Sequence, residues 1–324
     1  MTTMSLLGAA SYMPQNVVDN TFFELDDKGN EQMMFMGTRQ RHHMERDESA
    51  VSMIEKATRK VCAQHGLDPS KDIDIILTNV TIPDMPFTGC GAEVVRALEC
   101  KPQWVLDVSN SGCVSFVYMM GVAQSLMATS NAKTALICNV ASAGQRVFSL
   151  EGNRHRAQAA VPGDGCGVGL FVKGGDSPVK SIVTECFGEN ASDMQIQAED
   201  GRRWWEPGTT PFHIDFNRKQ VGAIVSRGNR LVPEAIMKAC SEAGIKTSEI
   251  ETLITNQPNP VFLRNWREAV QVPREKHVYT FRDHGNLFGA AMPISLAKAE
   301  EEGRLKKGDY LVFGGFSHAG DYSA

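Results

Sequence analysis

The sequence has no Cys-x-x-Cys pair, no run of 18 apolar residues, and no basic segment ahead of an apolar stretch in its opening MTTMSLLGAASYMP. It also has no excess of positive charge: 33 Lys and Arg stand against 38 Asp and Glu, a net charge of −5. Each absence removes a class of function. Without a basic balance, nucleic acid is not an expected partner. Without a spanning run or a leader, the expectation is a soluble cytoplasmic protein that does not engage a membrane. The eight cysteines, at 62, 90, 100, 113, 138, 166, 186 and 240, fit neither a disulfide framework nor a zinc site, and no metal is expected. What is present is an ordinary globular composition, 42% hydrophobic and 22% charged over 324 residues. That is enough for two domain-sized halves around a large core.

The chain echoes itself. Lys60-Val-Cys-Ala-Gln-His-Gly-Leu67, leading to Ile75-Ile-Leu-Thr-Asn79, is matched by Lys238-Ala-Cys-Ser-Glu-Ala-Gly-Ile245, leading to Thr252-Leu-Ile-Thr-Asn256. In each copy a helix ends at glycine and a strand-length apolar run follows. A looser second echo sets Trp104–Val108, a turn, a helix from Cys113 and the strand Thr134–Cys138 against a later series. There a strand His277–Phe281, the turn Arg282–Asn286, a helix to about Glu302 and a strand from Tyr310 are expected. Alternating strands and helices in both copies predict an α/β protein of two duplicated halves, 1–173 and 174–324. Ligands in such folds sit at loops after strand ends, here at Asn79, Asn110–Cys113, Asn256–Asn259 and His284–Asn286. Pseudo-twofold symmetry would gather the last three.

Cys113 follows Asp107-Val-Ser-Asn-Ser-Gly112 and opens an apolar helix. A helix start stabilises a thiolate, the species that attacks carbonyls, and the Cys113 N–H is placed to bind an oxyanion. The alternative is a buried structural cysteine, the reading given to the other seven. Among the eight histidines His284 is the leading base, because its turn is the second-half counterpart of the cysteine turn. His318, in the loop after the last strand, comes second. His42 and His43, in the basic run from Arg39, read as a solvated face. His65, His155, His213 and His277 have no supporting pattern. Gly163-Asp-Gly-Cys-Gly-Val-Gly169 matches no phosphate-loop spacing; its glycines suit a tight backbone crossing, with Asp164 bonding nearby amides.

Four landmarks in order carry a resemblance: Asp107 to Cys113, Gly163-Asp-Gly-x-Gly167, Asn256-Gln-Pro-Asn259 and His284-Gly-Asn286. Together they resemble the β-ketoacyl-acyl-carrier-protein synthase III branch of the thiolase superfamily, over essentially the whole chain. The resemblance implies a thiolase-like five-layered α-β-α-β-α fold, a homodimer, and an acyl thioester on Cys113. It also implies no permanently bound cofactor, with acyl-CoA or a phosphopantetheinyl acyl-carrier protein as donor substrate.

The departures bear on the reaction. Asn256 stands where the family has the histidine of its His-Gln-Ala-Asn motif, which works with the asparagine that is Asn286 here. Two asparagines donate hydrogen bonds, but neither removes a proton. The family's Trp and Arg that hold adenine are replaced within Glu31–Gly37, while Arg156 falls where another adenine-contacting arginine is expected. Ser317 and His318 stand in the C-terminal loop where the family favours glycine, beside the oxyanion strand. Gly201–Gly208, with Trp204 and Trp205, falls in the region that caps the family's pocket; the alternative is a surface loop.

The reading that best joins these features is an acyltransferase, closest in its motif changes to the family's non-condensing members and acting in secondary-metabolite biosynthesis. Cys113 takes the acyl group, and His284, oriented by Asn286, activates a small alcohol or amine acceptor. One alternative is a condensing enzyme that uses Asn256 and Asn286 as enolate donors. The other is a silent partner subunit of a hetero-oligomeric synthase.

Overall fold

Apolar side chains alternate along the strands of both halves, and the two faces of each sheet meet different helices. The computed structural model describes residues 3–25, 37–85, 87–216, 221–317 and 320–324. The first sheet contains β1 (Met4–Tyr12), β2 (Ile75–Val80), β3 (Trp104–Asp107), β4 (Thr134–Ala141) and β5 (Gly165–Lys173), in the order β1-β5-β4-β2-β3. β2 is parallel to β3 and β4, while β5 is antiparallel to β4 and β1. The second sheet contains β6 (Thr184–Cys186), β7 (Ile250–Thr255), β8 (Tyr310–Phe316) and β9 (Asp321–Ser323), in the order β7-β8-β9-β6. Again the first pair is parallel and β9 is antiparallel to both neighbours. A parallel bridge from Leu253 to His277 lies beside β7, where β3 lies beside β2. The two sheets therefore share one strand order, as the sequence echo predicts.

The helices are α1 (Ala50–Gln64), α2 (Gly91–Leu98), α3 (Ser115–Thr129), α4 (Val221–Ala243), α5 (Pro260–Ala269) and α6 (Ala291–Glu301). α3 and α6 form the middle layer. Phe116, Val117 and Met120 of α3 and Leu296 of α6 pack with Ile75 and Leu77 of one sheet and Ile254 and Phe313 of the other. One residue along, Ile76 and Leu136 face Val61 and Val94 of α1 and α2, and Leu253 and Val312 face Ile236 and Trp266 of α4 and α5. The result is the five-layered α-β-α-β-α fold. Gly112–Thr129 is long and apolar enough to cross a membrane by length and composition, but it packs between the sheets.

Three expectations are corrected. The strand at 277–281 is reduced to its first residues: the Thr280 and Phe281 amides donate to the buried Gln257 Oε1, at 3.1 and 3.2 Å, and a helical turn, Phe281–His284, begins. The run Arg39–His43 is not a solvated face. Gln40–His43 pairs with Asn16–Asp19, and strand alternation buries Arg41 and His43. Cys186 is exposed rather than core, because β6 is an edge strand.

Candidate active site

Cys113 is reached through two left-handed residues, Ser111 at φ 64° and Gly112 at φ 37°. A non-glycine residue there costs on the order of 1–3 kcal/mol, which the surrounding packing must offset. The chain enters a 3-10 turn, Gly112–Val114, and α3 begins only at Ser115. Cys113 thus precedes the α-helix instead of opening it. Its side chain is buried, and burial pushes the thiol up to about 12, although its own N–H favours the thiolate. This overturns the expectation of a lowered value: desolvation outweighs the helix end. At neutral pH the Cys113 side chain is therefore a thiol.

The nominated loops meet around this turn. A Cβ on Gly289 would lie 2.7 Å from Ser115 Oγ, 2.8 Å from the Gly112 carbonyl and 2.9 Å from Asn79 Oδ1. Only glycine lets the segment after Asn286 approach so closely. On the other side, a Cβ on Gly112 would lie 2.8 Å from Ser317 Oγ. Ser317 is buried, and its N–H donates to the Asp321 carbonyl. His318 and positions 31–36 of the family's adenine segment lie outside the described residues.

The two asparagines differ. Asn286 Oδ1 accepts from the Phe288 N–H at 2.9 Å. A backbone N–H only donates, so the amide oxygen must face it, and the NH2 group is left as a donor. Asn286 lines a narrow apolar pocket of about 70 Å³ with Phe148, Val161, Met194, Ile214 and Phe262. Phe148, Ile214 and Phe288, which also line it, pack in the same cluster as Cys113. Asn256, by contrast, donates to the Phe316 carbonyl at 3.1 Å and accepts from the Phe316 N–H at 3.3 Å. Both ends of its amide hold the last residue of β8.

His284 closes the turn Phe281–His284, and its ring lies against His42 with centroids 5.3 Å apart. Burial lowers its pKa to about 4, with His42 acting in the same direction, so the imidazole is neutral at physiological pH. Its Nδ1 is buried without a hydrogen-bond partner among the described residues. Among the described residues no hydrogen bond joins His284 to Asn286, whose amide oxygen accepts from the Phe288 N–H. The structure brings together the turns that carry Cys113 and Asn286 and the end of β8 at Ser317, binds Asn256 to Phe316, and leaves His284 against the Gln40–His43 strand.

Asp164 accepts from the backbone N–H groups of Met44, Gly144 and Gln145, at 3.0, 2.7 and 2.9 Å. Burial nevertheless raises its carboxyl to about 6. The neighbouring glycines allow the crossing expected of them: a Cβ on Gly167 would lie 2.6 Å from the Ile294 amide nitrogen of α6. Arg156 is ion-paired with Glu199. Trp204 and Trp205 are 62% and 60% exposed, packed edge to face, and are not among the residues lining the pocket. Their loop joins the strands Met194–Ala198 and Phe212–Phe216, which contribute Met194 and Ile214 to the pocket. Among the described residues no cluster of three His, Cys, Asp or Glu is placed to hold a metal.

Two residues were missed by sequence reasoning. Gln257 supplies the acceptor for the broken edge beside β7. Arg41 is fully buried and reaches the Ala160 carbonyl next to the pocket. The signal for Arg41 was available in the two-residue alternation of its strand.

Two sheets of one strand order around a shared middle layer, with a buried cysteine on the turn before one central helix, are the arrangement of a thiolase-type fold. The model of 3-oxoacyl-[acyl-carrier-protein] synthase III matches residues 106–190, and that of its C-terminal part matches 240–323, together just over half of the chain. The chain belongs to this synthase III-like branch of the thiolase superfamily. A β-ketoacyl-[acyl-carrier-protein] synthase III of Clostridium perfringens is 27% identical over 98% of this chain and 96% of its own. The crystal structure of a 3-oxoacyl-[acyl-carrier-protein] synthase III from Aquifex aeolicus superposes with a TM-score of 0.85 at 21% identity, covering 99% and 98% of the two chains. The priming β-ketosynthase of the R1128 polyketide pathway superposes at 0.84 with 18% identity, covering 99% and 94%.

Proposed function

We propose that the chain is a thioester-dependent acyl-transferring enzyme that acylates Cys113 and passes the group to an alcohol or amine. The Cys113 sulfur attacks the donor carbonyl, and the departing pantetheine sulfur takes up the proton that Cys113 gives up. The acceptor oxygen or nitrogen then bonds to the acyl carbon, the bond to Cys113 breaks, and the thiol is restored. A thiol with a pKa near 12 suits a proton that moves with attack rather than before it. The Asn286 NH2 supplies a hydrogen bond at the acyl group. His284, a neutral imidazole, receives the acceptor proton in this reading and passes it on to the departing Cys113 sulfur; its place against His42 makes its test separate from that of Cys113.

The observation carrying transfer over condensation is Asn256. An amide replaces the family's imidazole, and its hydrogen bonds to Phe316 commit it to the backbone. Intact-mass measurement after incubation with acyl-CoA and acyl-carrier-protein thioesters tests the first step, with an adduct on Cys113 expected. No adduct on Cys113 from either donor class, or full transfer activity after His284→Ala, removes the corresponding assignment. The second reading, carbon–carbon condensation, is favoured by the names of the relatives and the retained Asn286. Carbon dioxide and a β-keto product from a malonyl donor would establish it instead.

A homodimer fits the same reading. β3 is an edge strand presenting Trp104 and Leu106, 39% and 38% exposed, and in the segment before α2 Met85 and Phe87 are 55% and 96% exposed. Such an edge and patch normally pair with something. Light scattering that gives a monomer at micromolar concentration removes this part of the proposal.

A further inference from the structure

Arg41 is a guanidinium with no access to solvent, and its hydrogen-bond acceptors among the described residues are neutral, Asp19 acting on it only through space. It donates to the Val18 carbonyl at 3.3 Å, to Asn20 Oδ1 at 2.8 Å and to the Ala160 carbonyl, and it stacks 4.8 Å over the Phe23 ring. Burying a cation is expensive even with a carboxylate such as Asp19 acting on it from a distance, and a smaller apolar residue would fill a strand position more cheaply. What the arginine does that an apolar residue could not is bond its own strand to two other segments at once, residues 18–23 and Ala160.

The segment held at Ala160 continues into the pocket. Val161 and Pro162 line it, and the next residues are locked to the Asn286 turn by two hydrogen bonds. The Asn286 N–H donates to the Val161 carbonyl at 2.9 Å, and the Gly163 N–H donates to the Asn286 carbonyl at 3.1 Å. There is no slack in this contact: a Cβ on Gly285 would overlap the Val161 carbonyl, and one on Gly163 would overlap the His284 carbonyl. Movement of Ala160 is therefore movement of Asn286.

We infer that Arg41 is a positioning residue, which sets the place of the Asn286 amide in the pocket by clamping the Ala160 carbonyl. The inference rests on the proposed role of Asn286 at the acyl group. The test is backbone amide exchange in the full chain, comparing wild type with Arg41→Met and Arg41→Lys. Arg41→Met is expected to lower protection of the Gly163 and Asn286 amides by about tenfold or more while β2 and β4 keep theirs, with partial recovery in Arg41→Lys. In parallel, a p-nitrophenyl ester that acylates Cys113 should show a maximal rate reduced about tenfold with its half-saturating concentration little changed. Should Arg41→Met fail to fold, Asn20→Ala removes the side-chain acceptor of the guanidinium and tests the same clamp. Unchanged protection at Gly163 and Asn286, or protection lost equally in β2 and β4, overturns the positioning role. Lowered protection with unaltered acylation of Cys113 leaves the clamp standing and removes the catalytic reading of Asn286.

Discussion

The turn that carries Cys113 and the turn that carries Asn286 occupy equivalent places in the two halves, one before α3 and the other before α6. Both pass through left-handed residues, Ser111 and Gly112 in one and Gly285 and Phe288 in the other. They differ in what precedes them. The first follows a strand paired along its length with β2. The second follows a strand that stops after His277 and Val278, its remaining amides satisfied by Gln257. One turn presents a single reactive atom; the other presents a hydrogen-bond donor whose direction is fixed by Phe288. The same backbone device carries a thiol in one half and an amide in the other, and in the proposed reaction these side chains divide the chemistry.

The largest expected effect tests whether only the first turn is nucleophilic. Cys113→Ala should abolish acyl adducts by intact mass, while Cys186→Ala, at the one exposed cysteine among the described residues, should leave them unchanged. Next is the second turn. Asn286→Ala should slow acylation or transfer by roughly 10²-fold, the scale of losing one oxyanion donor. A loss below about threefold would deny the amide its role.

The ionisation of Cys113 comes third. Because burial raises its pKa to about 12, the thiolate fraction should grow through the alkaline range. Alkylation of Cys113 by iodoacetamide should rise about tenfold per pH unit between roughly pH 7 and 10. A plateau near pH 8 would show that the helix end wins after all. Fourth, Asn256→Ala should act on stability: the Phe316 N–H and carbonyl would each lose a buried hydrogen bond, costing about 1–3 kcal/mol in denaturant unfolding. If stability is unaffected and turnover collapses, the two asparagines are alike after all. Last, Gly289→Ala should cost about 1–3 kcal/mol by forcing the second turn away from Gly112, Ser115 and Asn79.

Much of the architecture was legible because it is written twice. Cys62 and Cys240, both buried on their helices, mark the repeat that the two sheet orders reproduce. Cys113 was legible from its turn and helix, but its ionisation was not. The helix-end effect is local and visible in sequence, whereas desolvation depends on what the other half places around the thiol. The partner of His284 was hidden for a similar reason. Sequence adjacency to Asn286 suggested a shared task, but Gly285 at φ 66° separates the two side chains, and His42 comes from a strand far away in sequence. Arg41 was misread because charge was taken as a sign of solvent, although alternation within its strand pointed inward.

The middle layer constrains how such a molecule can change. α3 and α6 are each covered by both sheets, so a residue such as Leu296 shares one cluster with Ile75 and Phe313 from opposite halves. Neither copy possesses a complete interior, and a substitution in either central helix is felt on both sides. The two copies are free to diverge chiefly at the ends of those helices, where a change alters chemistry without reopening the core. A thiol at one end and an amide at the other are what that freedom permits.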